Sequence, residues 1–403
     1  MVTSQITFAQ FCSAVRRKAA LALCLALCTL GLGLSTSAQE AKKAGITTFD
    51  VSGAGTGAGQ GTFATGGINL SGTIAGSYTD ANNVSHSFLR SRDGKVTTFD
   101  PPGTAQIFFP GFNGSGAIGL NAEGTAVGYF VDANFAVHAY IRTPDGKFLT
   151  FDWPGACTTS QNVGCHGSGV WDINALGVAV GPYEDTSGNF VAHCAIRFPD
   201  GKITTFEVPG SSMLAGQGTL PTAFSGLNQL GAITGLYYDS NNVFHGFLRT
   251  PKGTFTDFEA PGADTTIEFN GTQPSSINDF GAITGLYLDV NEVLHGFVRS
   301  PEGHFTDFDV PGAGMTSQSF QGTIPQNINR FGDITGYYLD ANNVYHAFVR
   351  NTDGNFLTFD APGADTTAGD FNGTFAASNN DIGAITGYYV DATNVAHGFL
   401  RTP

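Results

Sequence analysis

Histidine and aspartate recur through the chain at nearly constant spacing, and both residue types can bind metals or transfer protons. In each repeat, the pattern Gly-x-aromatic-x-Asp is followed by a histidine a few residues later. The aspartates are Asp80, Asp132, Asp185, Asp239, Asp289, Asp340 and Asp391. The histidines are His86, His138, His193, His245, His295, His346 and His397. A second acid recurs further along each repeat, at Asp50, Asp100, Asp152, Glu207, Glu259, Asp309 and Asp360.

This repetition favours structural roles over a metal centre. Histidines in seven successive repeats are too far apart to share one metal, so we expect each to fill the same packing position. Two interpretations of the aspartates stay open. They can cap turns by accepting backbone N–H bonds, or they can bind Ca²⁺ together with the amides in Asp340-Ala-Asn-Asn343. Near-identical turn chemistry in every copy favours capping, so we expect no cofactor, with Ca²⁺ as the alternative.

The third repeat departs most from the others, and departures are better indicators of a site than regularities. It carries Trp171-Asp172 where other repeats mostly have small or amide residues, and its second strand contains Pro182. A tryptophan beside carboxylates suits stacking on a sugar and hydrogen bonding to it. The alternative is that Trp171 fills a packing hole left by drift. The sequence therefore predicts a ligand site formed by Trp153, His166, Trp171, Asp172, Glu184 and Asp185.

Two functions are compatible with such a site. The first is a non-catalytic binding or interaction module for a glycan or a protein ligand. The second is a carbohydrate-active hydrolase or lyase in which Asp172, Glu184 or Asp185 is the acid or base and Trp171 is the platform. The chain contains no Gly-x-Ser-x-Gly, His-Glu-x-x-His, Walker A or Gly-x-Gly-x-x-Gly motif. We therefore favour the binding module and predict no catalytic residues.

Four short strands per repeat must position these side chains. In the fifth repeat they are predicted at Gln273–Asn278, Ala282–Asp289, Val293–Ser300 and His304–Val310, separated by turn residues. The second of these strands is apolar on both faces, which is typical of a strand that lies between two neighbouring sheets. A repeat length of about 51 residues indicates a solenoid, a propeller or an array.

The two ends of the repeat region decide among these architectures. The seventh repeat stops at Pro403 after its third strand, and the missing fourth strand occurs at Ile46–Val51 with no repeat before it. Three C-terminal strands and one N-terminal strand would complete the last sheet and close a ring, which removes exposed sheet edges. We therefore predict an all-β fold, a seven-bladed β-propeller over residues 45–403, with a β-solenoid as the alternative.

The propeller prediction sorts the charges by face. The repeated aspartate ends the second strand and the second acid ends the fourth, so both sets should lie on one face. An arginine ends each third strand and should lie on the opposite face. These arginines are Arg90, Arg142, Arg197, Arg249, Arg299, Arg350 and Arg401.

The N-terminal segment has the pattern of a signal peptide. Residues 16–18 are basic, residues 19–34 form an apolar run, and Ala38 has the small side chain that signal peptidase requires. The run is shorter than the roughly 20 residues of a membrane span. We predict a signal peptide at 1–38, a short tail at 39–44, and export to the periplasm or the medium as a monomer without a membrane span.

Charge and cysteine content add two expectations. The formal net charge of −15 over 403 residues argues against nucleic-acid binding. In an oxidising compartment, Cys157 and Cys165 form a plausible disulfide across a short loop. Cys194 is left over, in a position where other repeats mostly have Gly or Ala, and we expect it to be a small buried apolar residue.

The repeat also resembles a known family. The His-Ala-Phe of residues 346–348, varied as His-Gly-Phe at 245–247 and 295–297, is similar to the bacterial HAF-type extracellular repeat. So is the Ile-Asn-x-x-Gly-x-Ile-x-Gly of residues 277–285, and the resemblance covers essentially the whole chain after residue 38. It implies secreted repeat proteins without an assigned activity. It offers no catalytic residue to carry over.

Overall fold

A computed structural model describes residues 45–106, 114–158, 167–186, 191–214, 216–222, 225–317, 320–368 and 372–403. Every regular element in these ranges is a β-strand, so the predicted all-β class is confirmed. The described residues include no helix of the length and apolar character that crossing a membrane requires. The predicted signal peptide at 1–38 and the tail at 39–44 lie outside the described residues.

The strands pair antiparallel in groups of four, which we call units. Unit 1 contains β2 Gly61–Phe63, β3 Ile74–Thr79, β4 Ser85–Arg90 and β5 Val96–Phe99. Unit 2 contains β6 Ser115–Leu120, β7 Ala126–Val131, β8 Val137–Arg142 and β9 Phe148–Phe151. Unit 3 contains β10 Asp172–Ile173, β11 Ala179–Glu184, β12 Ala192–Arg197 and β13 Ile203–Phe206. Unit 4 contains β14 Thr219–Pro221, β15 Ile233–Tyr238, β16 Phe244–Arg249 and β17 Phe255–Phe258.

The remaining units follow the same order. Unit 5 contains β18 Gly271–Ile277, β19 Ile283–Leu288, β20 Leu294–Arg299 and β21 Phe305–Phe308. Unit 6 contains β22 Gly322–Ile328, β23 Ile334–Leu339, β24 Tyr345–Arg350 and β25 Phe356–Phe359. Unit 7 contains β26 Gly373–Asn379, β27 Ile385–Val390, β28 Ala396–Thr402 and β1 Gly45–Phe49. The four strands predicted for the fifth repeat all occur, with ends that differ by one or two residues.

The fourth strand of unit 7 comes from the other end of the repeat region. β1 pairs antiparallel with β28, from Gly45 opposite Thr402 to Phe49 opposite Gly398. β2 of unit 1 then makes a single parallel bridge to β28, between Gly61 and Ala396. Units 7 and 1 are therefore joined both by chain continuity and by hydrogen bonds between strands.

A glycine begins the first strand of a unit where that strand meets the third strand of the preceding unit. Gly271 has φ +115°, and a Cβ there would lie 2.1 Å from the carbonyl oxygen of Phe244. The two residues form a parallel bridge between β16 and β18. A side chain would force the units apart, which explains why glycine recurs at this point in the repeat.

Asparagines link each unit to the next. The Asn278 Oδ1 accepts hydrogen bonds from the backbone N–H groups of Phe280 and Ala282 in its own turn. Its Nδ2 donates to the backbone oxygen of Asn329, 3.2 Å away in unit 6. The same Nδ2-to-carbonyl bond runs from Asn69 to Asn121, Asn121 to Asn174, Asn174 to Asn228, Asn228 to Asn278, Asn329 to Asn380 and Asn380 to Asn69. We call these seven residues the asparagine ring.

The arginines form a second set of contacts between units. The Arg299 guanidinium carbon lies 4.9 Å from the ring centroid of Phe258, in the last strand of unit 4. Each of the seven arginines makes this cation–π contact with the preceding unit, including Arg90, which lies 4.7 Å from Phe49 of β1. The arginines that end the third strands are therefore part of the packing between units.

Candidate functional site

Each repeated histidine lies between the two acids of its unit. The His295 Nδ1 is 3.0 Å from an Asp309 carboxylate oxygen, and its Nε2 is 3.7 Å from Asp289. Its ring stacks on Tyr287, its cross-strand neighbour, with centroids 5.1 Å apart. The same three-residue group, which we call a triad, occurs as Asp80–His86–Asp100, Asp132–His138–Asp152, Asp185–His193–Glu207, Asp239–His245–Glu259, Asp340–His346–Asp360 and Asp391–His397–Asp50.

The first acid of each triad also caps a turn. The Asp289 Oδ1 accepts backbone N–H bonds from Asn291 and Val293, both at 2.9 Å. This is the capping role that the sequence favours, and it uses an oxygen that a Ca²⁺ site would need. Burial alone would raise the pKa of Asp289, but these backbone bonds, the Asn291 side chain and His295 leave its pKa lowered.

The acids of a triad favour the charged form of its imidazole ring. The hydrogen bond that the His295 Nδ1–H donates to Asp309 and the charges of both acids raise the pKa of His295 against the opposing effect of burial. The pKa is raised in the same direction for His86, His138, His193, His245 and His346. Because a carboxylate faces each ring nitrogen, neither nitrogen of the histidine is open to a substrate.

The carboxylates keep part of their surface open to solvent. The exposed fraction of the second acid ranges from 25% for Asp100 to 56% for Asp50, whereas the histidine side chains are 12–21% exposed. The face that carries the triads, which we call the carboxylate face, therefore presents hydrogen-bond acceptors above buried imidazolium groups. The described residues contain no group of three or more His, Cys, Asp or Glu arranged to hold a metal.

A histidine-to-glutamine change in one triad should reduce stability most at low pH. Because the folded pKa of His295 is raised above an unfolded value of about 6.5, its stabilising contribution is complete below that pH and is lost as pH rises through the folded pKa. We expect His295→Gln to lower the free energy of unfolding by about 1 kcal/mol at pH 5.5 and by less at pH 8.5. Urea denaturation at both pH values measures the difference.

The control is His304→Gln, which removes an exposed histidine outside the triads. A loss for His295→Gln that is equal at the two pH values would contradict a charged triad. It would indicate that the ring contributes through packing on Tyr287 alone.

The structure corrects the prediction for Trp153. Its side chain is 1% exposed and lies in the core between units 2 and 3, in edge contact with Phe151. Its indole N–H donates to the Gly169 carbonyl oxygen at 2.8 Å. A ring enclosed in this way has no surface for a ligand, so Trp153 is a packing residue.

Asp172 is also buried, at 8% exposure, and links two units. Its Oδ2 accepts the backbone N–H of Leu227 in unit 4 at 2.9 Å, and its Oδ1 accepts that of Ile173. Burial raises the pKa of Asp172 to about 6, although both N–H groups act to lower it. The carboxylate is enclosed by backbone groups, and this corrects its predicted role as an accessible ligand or an acid–base residue.

Trp171 lies directly before β10, the first strand of its unit, and is half-buried. At the corresponding place, units 2, 5, 6 and 7 carry a β-bulge that adds Ile118, Ser275, Gln326 or Ala377. Bulges of this kind re-aim side chains. The Trp171 indole N–H finds no acceptor among the described residues.

The other predicted site residues lie elsewhere or outside the described ranges. Glu184 N–H bonds to the Gly167 carbonyl oxygen, four residues before Trp171, so roughly 13 Å of strand separates Glu184 from Trp171. Asp185 is the first acid of the unit 3 triad, 3.5 Å from His193. His166 lies outside the described residues. The structure therefore does not gather the five described residues into one cluster.

The cysteines, too, lie partly inside and partly outside the described residues. Cys157 is disulfide-bonded, while its predicted partner Cys165 lies outside the described residues, so the pairing stays a prediction. Cys194 is free and fully buried, as expected, and burial raises the pKa of its thiol.

Comparison with known proteins supports the propeller fold and no more. No family model and no curated protein matches the chain. Among solved structures, virginiamycin B lyase from Staphylococcus aureus is 14% identical, covers 90% of this chain and 100% of its own, and has a TM-score of 0.52. Aleuria aurantia lectin is 13% identical over 78% and 94% of the two chains, with a TM-score of 0.39. Puromycin hydrolase is 12% identical over 84% and 53%, with a TM-score of 0.44.

Proposed function

We propose that this chain is an exported binding module, built as a closed seven-bladed β-propeller with residues 1–38 as its signal peptide. The pairing of β1 with β28 and the asparagine ring, whose last bond joins Asn380 to Asn69, support closure. The HAF-type repeat resemblance supports export, and the ligand is a glycan or a protein segment rich in hydrogen-bond donors.

The repeated triad is the observation that carries this proposal. Both nitrogens of each imidazole face a carboxylate, so none of these histidines is available as a base or nucleophile. The second acids keep 25–56% of their side chains exposed, so they present carboxylate groups on one face of the molecule to a ligand. Such an array suits a ligand with repeated O–H or N–H donors, because several weak contacts then add in one complex.

Unit 3 adds an aromatic side chain to this array. Trp171 lies directly before β10, roughly 13 Å of strand from Glu184, and the bulge residues at the corresponding place in other units are smaller. Its indole N–H has no acceptor among the described residues. An aromatic surface with a hydrogen-bond donor is typical of a sugar site.

The alternative function, a hydrolase or lyase acting on carbohydrate, lacks support of the same kind. It requires an accessible carboxylic acid with a raised pKa. Asp172 has the raised pKa, but its oxygens are enclosed by the backbone N–H groups of Ile173 and Leu227. Asp185 is bound to His193. The geometry therefore favours binding without turnover.

Thermal denaturation of residues 39–403 with added ligands tests the proposal. We expect a chito- or xylo-oligosaccharide, or a lysine-rich peptide, to raise the Tm of the wild type by several degrees. The change Trp171→Ala should abolish most of that rise, since it removes the aromatic surface and the N–H donor. The matched control is Leu176→Ala, an exposed residue of the same unit near the arginines.

Two results would reject the binding module. One is the absence of a Tm increase with any of these probes, and the other is an increase that Trp171→Ala leaves intact. Release of new reducing ends from the oligosaccharide would favour the carbohydrate-active enzyme over the binding module.

A further inference from the structure

A cavity of about 310 Å³ lies between units 6 and 7, on the side of the molecule that carries the arginines. Val349, Phe356, Ile385 and Pro403 form its apolar walls, and Asn379 and Asp333 are among its polar residues. We call it the unit 6–7 cavity. It is remote from the triads, which lie at the opposite ends of the same strands.

Asn379 is a departure from the repeat. It lies opposite Ile385, in the register that pairs Ile277 with Ile283 in unit 5. The other units have a buried or half-buried aliphatic residue here, namely Ile68, Leu120, Ile173, Leu227, Ile277 and Ile328. Asn379 is 6% exposed, and its Nδ2 donates to the Asp333 backbone oxygen at 3.0 Å. Its Oδ1 accepts no hydrogen bond from any described residue.

Asp333 is a second departure at the same contact. In neighbouring units, the residue at its place is apolar and packs on the aliphatic residue of the next unit, as Ala282 packs near Ile328. Asp333 and Asn379 thus replace an apolar pair by a polar pair, and both line the cavity. A buried acceptor without a donor costs about 1–3 kcal/mol, so packing between units does not account for the change.

We propose that the unit 6–7 cavity binds a neutral, hydroxyl-bearing small molecule of about the size of a monosaccharide. The Asp333 carboxylate and the amides of Asn351 and Asn355 form hydrogen bonds with its hydroxyl groups. The Asn379 Oδ1 is closed to solvent, so Asn379 contributes to the polar character of the cavity wall and not to a direct bond. The apolar walls contact its C–H faces. A volume of about 310 Å³ is at the lower end of ligand pockets, which suits one sugar ring.

The formal side-chain charges of the residues that line the cavity sum to zero. Arg401 and Asp333 both line it, so the cavity has no net side-chain charge that would attract an anion or a cation. Asn351 and Asn355 add amides that can donate to or accept from hydroxyl groups.

The repeat itself supplies the test variant. The double change Asn379→Ile with Asp333→Ala restores the apolar pair that Ala282 and Ile328 form between units 5 and 6, and it removes the polar end of the cavity. We expect this protein to fold with at least the wild-type Tm. Ligand-observed NMR with glucose, galactose, mannose, fucose and N-acetylglucosamine at millimolar concentration should detect binding of at least one sugar to the wild type and none to the double variant.

A second variant keeps the test informative if the double change unfolds the protein. Asn355 is exposed at the cavity edge, so Asn355→Ala should leave the fold intact and weaken binding of the same sugar several-fold. Failure of all five sugars to bind the wild type overturns the proposal. So does binding that survives in the folded double variant, or binding that Asn355→Ala leaves unchanged. The Trp171→Ala variant should retain this binding, which separates the cavity from the site on the carboxylate face.

Discussion

Between pH 4 and pH 7.5, ionisation of Asp172 should lower the free energy of unfolding of the wild type by about 3 kcal/mol, and Asp172→Ser should not show this loss. Burial raises the pKa of Asp172 from 3.8 to about 6, so the folded state binds a proton more tightly than the unfolded state. Well below pH 3.8 both states are protonated and no penalty exists. As pH rises from 3.8 to about 6, the unfolded chain ionises before the folded protein, and stability falls. Above the folded pKa both states are ionised and the penalty is constant. Urea denaturation across this pH range measures the difference between the variant and the wild type.

The chain offers a matched control for this prediction. In unit 5, Ser276 occupies the place of Asp172, and its Oγ accepts the backbone N–H of Ile328 at 3.3 Å, the same link between units. Serine is therefore compatible with the position. The reciprocal change, Ser276→Asp, should introduce a comparable loss of stability as pH rises. Equal pH dependence in the wild type and Asp172→Ser would show that the carboxylate ionises without penalty.

These groups together set the pH at which the fold is most stable. Carboxylates with a lowered pKa, such as Asp289, contribute stability that is lost as pH falls below about 3.8. Asp172 and six of the triad histidines act in the opposite sense, because the pKa of each is raised and stability declines as pH rises; these histidines are His86, His138, His193, His245, His295 and His346. The sum places the maximum in mildly acidic solution, between the titration of the capping aspartates and that of the histidines.

The sequence predicts local features of this fold well, because turn chemistry is local. Glycine, asparagine and aspartate mark the turns, and the strands of unit 5 follow from them. The cross-strand pairs Tyr287–His295 and Gly285–Phe297 also follow, because turn length sets the register of a hairpin. The same register places Asp309 beside His295. A constant spacing of 14 residues between histidine and second acid, as from His86 to Asp100, was the available signal for the triads.

Contacts between units are harder to predict from sequence. Asn278 is part of a repeated motif, yet its bond to Asn329 depends on how two sheets pack, 51 residues apart in the chain. Trp153 and Asp172 suggest a ligand site by residue type, and burial between units reverses that interpretation. The Asn379 departure is visible in the sequence. Its meaning requires the position of Asp333 on the neighbouring unit.

Asn380→Ala should destabilise the protein by about 2–4 kcal/mol, since a buried backbone donor left without a partner costs about 1–3 kcal/mol. Asn380 is 5% exposed, and its Oδ1 accepts the N–H groups of Ile382 and Ala384. Its Nδ2 donates to Asn69 across the junction of units 7 and 1. Asn278→Ala removes the same three bonds within the chain of units, so urea denaturation should give a similar loss for both variants.

Hydrogen exchange distinguishes the two variants if the propeller is closed. At the junction of units 7 and 1, loss of the Asn380 bond should favour local opening, so the amides of β1 and β28 should exchange faster in Asn380→Ala. In Asn278→Ala those amides should exchange as in the wild type, because the altered contact lies between units 5 and 6. Equal exchange of β1 and β28 in both variants would mean that the Asn380 bond does not hold a ring closed. The open solenoid, in which units 7 and 1 need not stay in contact, would then be the better description.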